Sequence, residues 1–120
     1  MVTHANEDWT RKKYYDWFRL ERWIPWERIH IVSEDKFKGP EDWETAIMKT
    51  GVVSERVFMA GDSVHGDVLA AISFGVKPEH CVLVPAAWSM YRNGADNLPD
   101  GVIRADQGFG RLAETLVGGR

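Results

Sequence analysis

Cysteine is nearly missing from this chain: its 120 residues include one, Cys81. A lone cysteine excludes an internal disulfide. Its place in the apolar run Cys81-Val82-Leu83-Val84 predicts a buried, inert thiol in a reducing compartment. Long apolar runs are missing as well. No stretch approaches the ~18 residues of a membrane span, and Met1-Val2-Thr3-His4 lacks the charged-then-apolar layout of a secretion signal. A cytoplasmic protein with no membrane partner is expected. Charge of one sign is scarce too: no basic run exceeds Arg11-Lys12-Lys13, and 15 basic against 18 acidic residues give a formal charge of −3. That leaves no electrostatic footprint for nucleic acid. His4, His30, His65 and His80 show no metal-ligand spacing, which disfavours zinc. Repeats and low-complexity segments are absent.

What remains is ordinary globular material, 44% hydrophobic and 28% charged, with too little polar bias for disorder. A chain of this length buries roughly two-thirds of its unfolded surface as one domain, here residues 1–120. Trp9, Lys13, Trp17 and Leu20 fall at helical spacing, which predicts an amphipathic helix from Asn6, its cap, to about Leu20. Ile29, Ile31 and Val32 predict a strand over 28–33. Pro40 opens a helix whose apolar positions Trp43, Ile47 and Met48 carry it to a stop at Gly51. Val57-Phe58-Met59-Ala60 and Cys81-Val82-Leu83-Val84 are continuous apolar runs, the pattern of parallel strands buried on both faces. Between them Asp67 to Ile72 predicts a helix closed by Gly75. A long loop follows Pro85, in which Trp88, Tyr91 and Arg92 stand as candidates to line a site. Val102-Ile103 predicts a last strand and Phe109 to Val117 a last helix. Strands alternating with helices at this spacing predict an α/β sandwich with a mainly parallel sheet.

In an open parallel sheet ligands gather beyond the carboxyl ends of the strands. Asp62 sits at such an end, and Asp67 follows five residues later beside a helix start. Two carboxylates so placed can aim at one magnesium ion, a hard cation that prefers carboxylate and water oxygens. The competing reading is structural: the same residues can shape a turn and cap the helix. His65, between them, is either a general base near neutral pH or an exposed loop residue.

The segment Gly61-Asp62-Ser63 followed by Asp67 and a helix with paired alanines resembles the metal-binding fourth motif of haloacid-dehalogenase-superfamily phosphohydrolases. Lys38-Gly39-Pro40-Glu41-Asp42-Trp43 is similar to that family's third motif, a lysine before a helix, with Lys36 as the competing choice. Met1-Val2-Thr3-His4-Ala5-Asn6 resembles the tail of the second motif, in which Thr3 and the N–H of His4 would hold phosphoryl oxygens. The resemblance implies a truncated, Rossmann-like three-layer sandwich that hydrolyses small phosphate esters with Mg2+. It assigns Asp62, Asp67 and Lys38 to catalysis, Asp62 and Asp67 to the metal, and Thr3, His4, Lys38 and Ser63 to substrate.

The family's first motif, a strand ending in Asp-x-Asp that supplies the nucleophile, has no counterpart before Thr3. Asp8 and Asp16 do not follow a strand, and no cap segment is present to set the substrate. Turnover would then need a non-standard route; the alternative is a non-catalytic remnant that binds metal, phosphate or protein. That missing strand belongs between those ending at Thr3 and Ala60, so the resemblance implies open edges. A homodimer or strand-swapped oligomer would cover them. Trp9, Trp17, Trp23 and Trp26 fit either such an interface or ordinary packing.

Overall fold

The computed structural model describes residues 1–4, 6–33, 35–85, 94–106, Gly108, Arg111 and Glu114. In it the chain is an α/β fold with two short parallel sheets, open rather than closed into a barrel. Strand β1 (Val2–Thr3) pairs with β2 (His30–Ile31), Val2 opposite His30. Strand β3 (Met59–Gly61) pairs with β4 (Cys81–Leu83), and β4 with β5 (Ile103–Arg104). Between β1 and β2 runs helix α1 (Glu7–Arg11), continued by a wider π-helical stretch over Lys12–Trp17. Helix α2 (Pro40–Thr50) links the two sheets, touching β1, β2 and helix α3 (Ala70–Ser73).

The apolar run at β4 behaves as a strand buried on both faces, because alternate side chains leave a strand on opposite sides. Cys81 and Leu83 join Ile47, Met59, Val64, Val68 and Ala71 in the larger core, with Trp43 packed against it. Val82 and Val84 point the other way, to Ala105, Ala60 and Ile103. Burial pushes the Cys81 thiol up to about 11, the inert state expected of it. Helix α2 begins at Pro40 and stops at Gly51, whose left-handed backbone (φ 69°) glycine adopts without a Cβ clash. Met48, expected on its buried face, is 70% exposed; Ile47 and Trp43 do the packing instead.

The first helix departs most from its sequence pattern. Asn6 caps it as expected, its Oδ1 accepting the Trp9 N–H at 2.8 Å. Trp9 and Trp17 share a side, their rings edge-on with centroids 5.5 Å apart, but that side faces out. The buried stripe is Thr10 and Tyr14, with Tyr14 stacked edge-on against Trp26 and its hydroxyl donating to the Ile24 carbonyl. The helical stretch ends at Trp17, short of Leu20, where the Phe18 N–H reaches the Lys13 carbonyl and Arg19 turns left-handed (φ 51°). Aromatic spacing fixed which residues share a face, whereas Tyr14's polar tip, which needs a buried partner, decided which face turns inward.

The helix expected from Asp67 begins earlier, with π-helical turns over Val64–Leu69 that Ser63 caps through Gly66 N–H. Of the last helix expected over 109–117, Arg111 and Glu114 alone are described, with Arg111 Nε donating to Glu114 Oε2 at 2.7 Å; Trp88, Tyr91 and Arg92 lie outside the described residues. Among the described residues no helix is long and apolar enough to cross a membrane.

Gly61 ends β3 where the Asp67 side chain folds back over the strand. A Cβ built there would lie 2.4 Å from Asp67 Oδ2 and 2.7 Å from its Cβ, closer than real atoms approach. Gly61→Ala is therefore expected to cost about 1–3 kcal/mol through overpacking, read as a lower urea midpoint. An unchanged midpoint would place the Asp67 carboxylate elsewhere.

Candidate functional site

The carboxyl end of β3 leads straight into the turn that holds the site. Asp67 is 3% exposed, and both of its oxygens are engaged. Oδ1 takes the Lys38 ammonium at 2.6 Å, and Oδ2 accepts the Ser63 N–H at 3.1 Å. Lys38 arrives from the loop beyond β2, so this ion pair joins the carboxyl ends of two different sheets. A second tie runs beside it: Trp43 Nε1 donates to the Gly66 carbonyl at 2.9 Å. Asp62, half-buried at the strand end, makes no hydrogen bond or ion pair among the described residues. His65 is exposed.

Geometry separates the two competing lysines. Lys36 Nζ lies 3.1 Å from Asp42 Oδ1 and 3.2 Å from Glu41 Oε1, away from Asp67. Lys38 alone of the two meets the acidic turn. The substrate-side candidates are less gathered. Thr3 ends β1 with its carbonyl accepting the Val32 N–H at 2.8 Å, and His4 Nε2 pairs with the Ser33 carbonyl at 3.0 Å. Among the described residues no hydrogen bond or ion pair connects Thr3 or His4 to Lys38, Asp62, Ser63 or Asp67. Ser63 is at the site as a helix cap, its Oγ accepting the Gly66 N–H at 3.0 Å.

Two carboxylates suit magnesium by kind, since Mg2+ takes one or two protein carboxylates and fills the rest with water. No group of three or more His, Cys, Asp or Glu side chains able to hold a metal occurs among the described residues. Asp62 is available to a cation as it stands; Asp67 is committed to Lys38. A metal at Asp67 and the Lys38 ammonium would therefore compete for one oxygen.

Asp42 and Trp43 are the residues sequence reasoning passed over. Asp42 is 2% exposed, and its Oδ2 accepts the Gly39 N–H at 3.0 Å. A Gly-Pro start with Asp at the third helical position is a readable half of a capping box, and that signal was present. Nothing in the spacing marks Trp43 as a donor to Gly66.

No family model, curated protein or solved structure matches the chain.

Burial works to raise the Asp42 pKa, but hydrogen bonds from His30, Gly39 and Lys36 outweigh it and hold the group below its ordinary 3.8. A carboxylate depressed in the folded state stabilises the fold above its unfolded pKa and loses that contribution as pH falls. Thermal midpoints should hold from pH 7 to about pH 4 and drop below it, and Asp42→Asn should flatten part of that drop. An acid limb of equal depth in the variant would remove Asp42 from the cause.

Proposed function

We propose that this chain is a haloacid-dehalogenase-like phosphohydrolase core acting on small phosphate esters with Mg2+. In this reading the two parallel sheets are parts of one three-layer sandwich in a single domain working in the cytoplasm. The observation that carries it is the Lys38–Asp67 pair, an ammonium and a carboxylate 2.6 Å apart at the meeting of two strand ends, beside Asp62, which has no partner among the described residues. Such an ammonium can neutralise the charge of an incoming phosphate and hold it in line. Ser63, Thr3 and the His4 N–H would complete the phosphate contacts, and Asp62 with Asp67 would hold the metal once it displaced Lys38 from Asp67. When bound there, Mg2+ supplies Lewis-acid polarisation of a phosphoryl oxygen.

The family's nucleophilic aspartate has no equivalent among these 120 residues, so turnover needs a nucleophile from outside them or an activated water. A non-catalytic module that binds phosphate, metal or protein is the second reading. It is favoured by the full engagement of Asp67, both of whose oxygens are satisfied without a metal.

Hydrolysis of p-nitrophenyl phosphate decides between them. Magnesium-dependent release of p-nitrophenol that disappears in both Asp62→Ala and Asp67→Ala supports the enzyme. Release that survives both substitutions displaces the site, and none with any divalent metal leaves the binding module.

We also infer that a second copy covers the free strand edges. The carbonyls of Met1 and Thr3 point to β2, and that of Gly61 bonds beside β4. In a parallel ladder the intervening residues, Val2 and Ala60, then turn their backbone groups away. Among the described residues neither β1 nor β3 has a partner on that side. Open edges invite pairing. Light scattering at micromolar concentration should give twice the monomer mass, and a monomer throughout would retire the inference.

A further inference from the structure

Three polar or charged residues are buried among the described ones, Thr10, Asp42 and Asp67. Thr10 is satisfied within its own helix, and Asp67 belongs to the site. Asp42 lies in the first turn of α2, yet its carboxylate gathers three groups, one from strand β2 and two from the loop before α2. Oδ1 receives His30 Nε2 of strand β2 at 2.9 Å and Lys36 Nζ of the loop at 3.1 Å. Oδ2 receives the backbone N–H of Gly39 at 3.0 Å. Lys38 stands between Lys36 and Gly39, both fixed by the same carboxylate.

We propose that Asp42 is a positioning residue: by bracing His30, Lys36 and Gly39 it sets the short loop so that the Lys38 ammonium meets Asp67. The assignment divides the labour of the two lysines. Lys36 braces the loop and Lys38 works at the site. A glycine follows Lys38 directly, so without the brace this loop has little of its own to hold one conformation. Opposite charge on a neighbouring side chain supplies what local stiffness does not. The role deepens the phosphate reading, and rests on it only where Lys38 is taken to meet phosphate; the placement of Lys38 stands apart from that.

The test reads Lys38 directly. In protein labelled with nitrogen-15, an ion-paired ammonium that is 17% exposed should give a side-chain NMR signal protected from solvent exchange. Asp67→Asn, which removes its partner, identifies that signal by abolishing it. Asp42→Asn should abolish it as well, while exposed Asp35→Asn should not. Should Asp42→Asn not fold, Lys36→Met carries the same question, since its side chain is 40% exposed and lies outside the core. A weakened Lys38 signal supports the brace, and an unchanged signal in whichever folded variant is measured overturns it.

Turnover then separates the two ideas. If the wild type hydrolyses p-nitrophenyl phosphate, Asp42→Asn should lower kcat/KM by about 10²-fold, the scale of a 1 Å misplacement of a positioning group. If it does not, the hydrolase reading falls, while the NMR result still decides the role of Asp42.

Discussion

The Lys38–Asp67 ion pair joins the carboxyl ends of the molecule's two sheets. Lys38 and Asp67 are 29 positions apart, with side chains 17% and 4% exposed, and no strand shared among the described residues joins the sheets they come from. Burying such a pair is no simple gain, because both ions lose water and their mutual attraction only partly offsets that loss. Removing one partner is a different matter: it strands the other charge and typically destabilises by about 3–5 kcal/mol. A pair that is expensive to break and poor at stabilising is better understood as a device for fixing geometry.

The surroundings follow from holding that pair. Gly61 has no Cβ, which lets the Asp67 carboxylate lie against the strand end. Ser63 serves Asp67 twice, donating its N–H to Oδ2 and capping the turn from which Asp67 projects. On the opposite side Asp42 and Trp43, adjacent in α2, hold the lysine loop and the Gly66 carbonyl respectively. The larger core lies beneath, where Val64 and Val68 place the turn against β3 and β4. Packing thus positions the acid and a hydrogen-bonded loop positions the base.

Strand positions were legible and their extents less so: the run 57–60 gives a strand over Met59–Gly61 with Phe58 68% exposed, and the run 28–33 gives His30–Ile31. The apolar run Cys81 to Val84 has the composition of a buried strand, Pro40 suits a first helical turn because its missing N–H needs no partner there, and Gly51 stops the helix because it turns left-handed without a Cβ clash. The acidic turn was legible too, as a strand end followed by Ser63 and Asp67. The choice between Lys36 and Lys38 was not. Two lysines with one residue between them look alike in a pattern, and they were separated by their partners in the fold, Asp42 for Lys36 and Asp67 for Lys38. The outward turn of Trp9 and Trp17 was hidden for a similar reason. Their spacing is that of a buried stripe, and only the competing demand of Tyr14 for the Ile24 carbonyl turned it to solvent.

Asp62 and Asp67 show how neighbouring copies of one residue type come to do different things. Asp62 directly follows β3, and Asp67 lies in the helical turn over Val64–Leu69 that comes next. One is enclosed, with an ammonium on one oxygen and an N–H on the other; the other is half-buried and has no partner among the described residues. An incoming cation meets Asp62 at no cost in broken contacts, whereas reaching Asp67 means displacing Lys38. An incoming anion faces the reverse: it is repelled by Asp62 and finds the Lys38 ammonium already paired with Asp67. Cation first and anion second is therefore the order these charges favour, because a cation drawing on Asp67 would loosen Lys38 and leave its charge available to an anion.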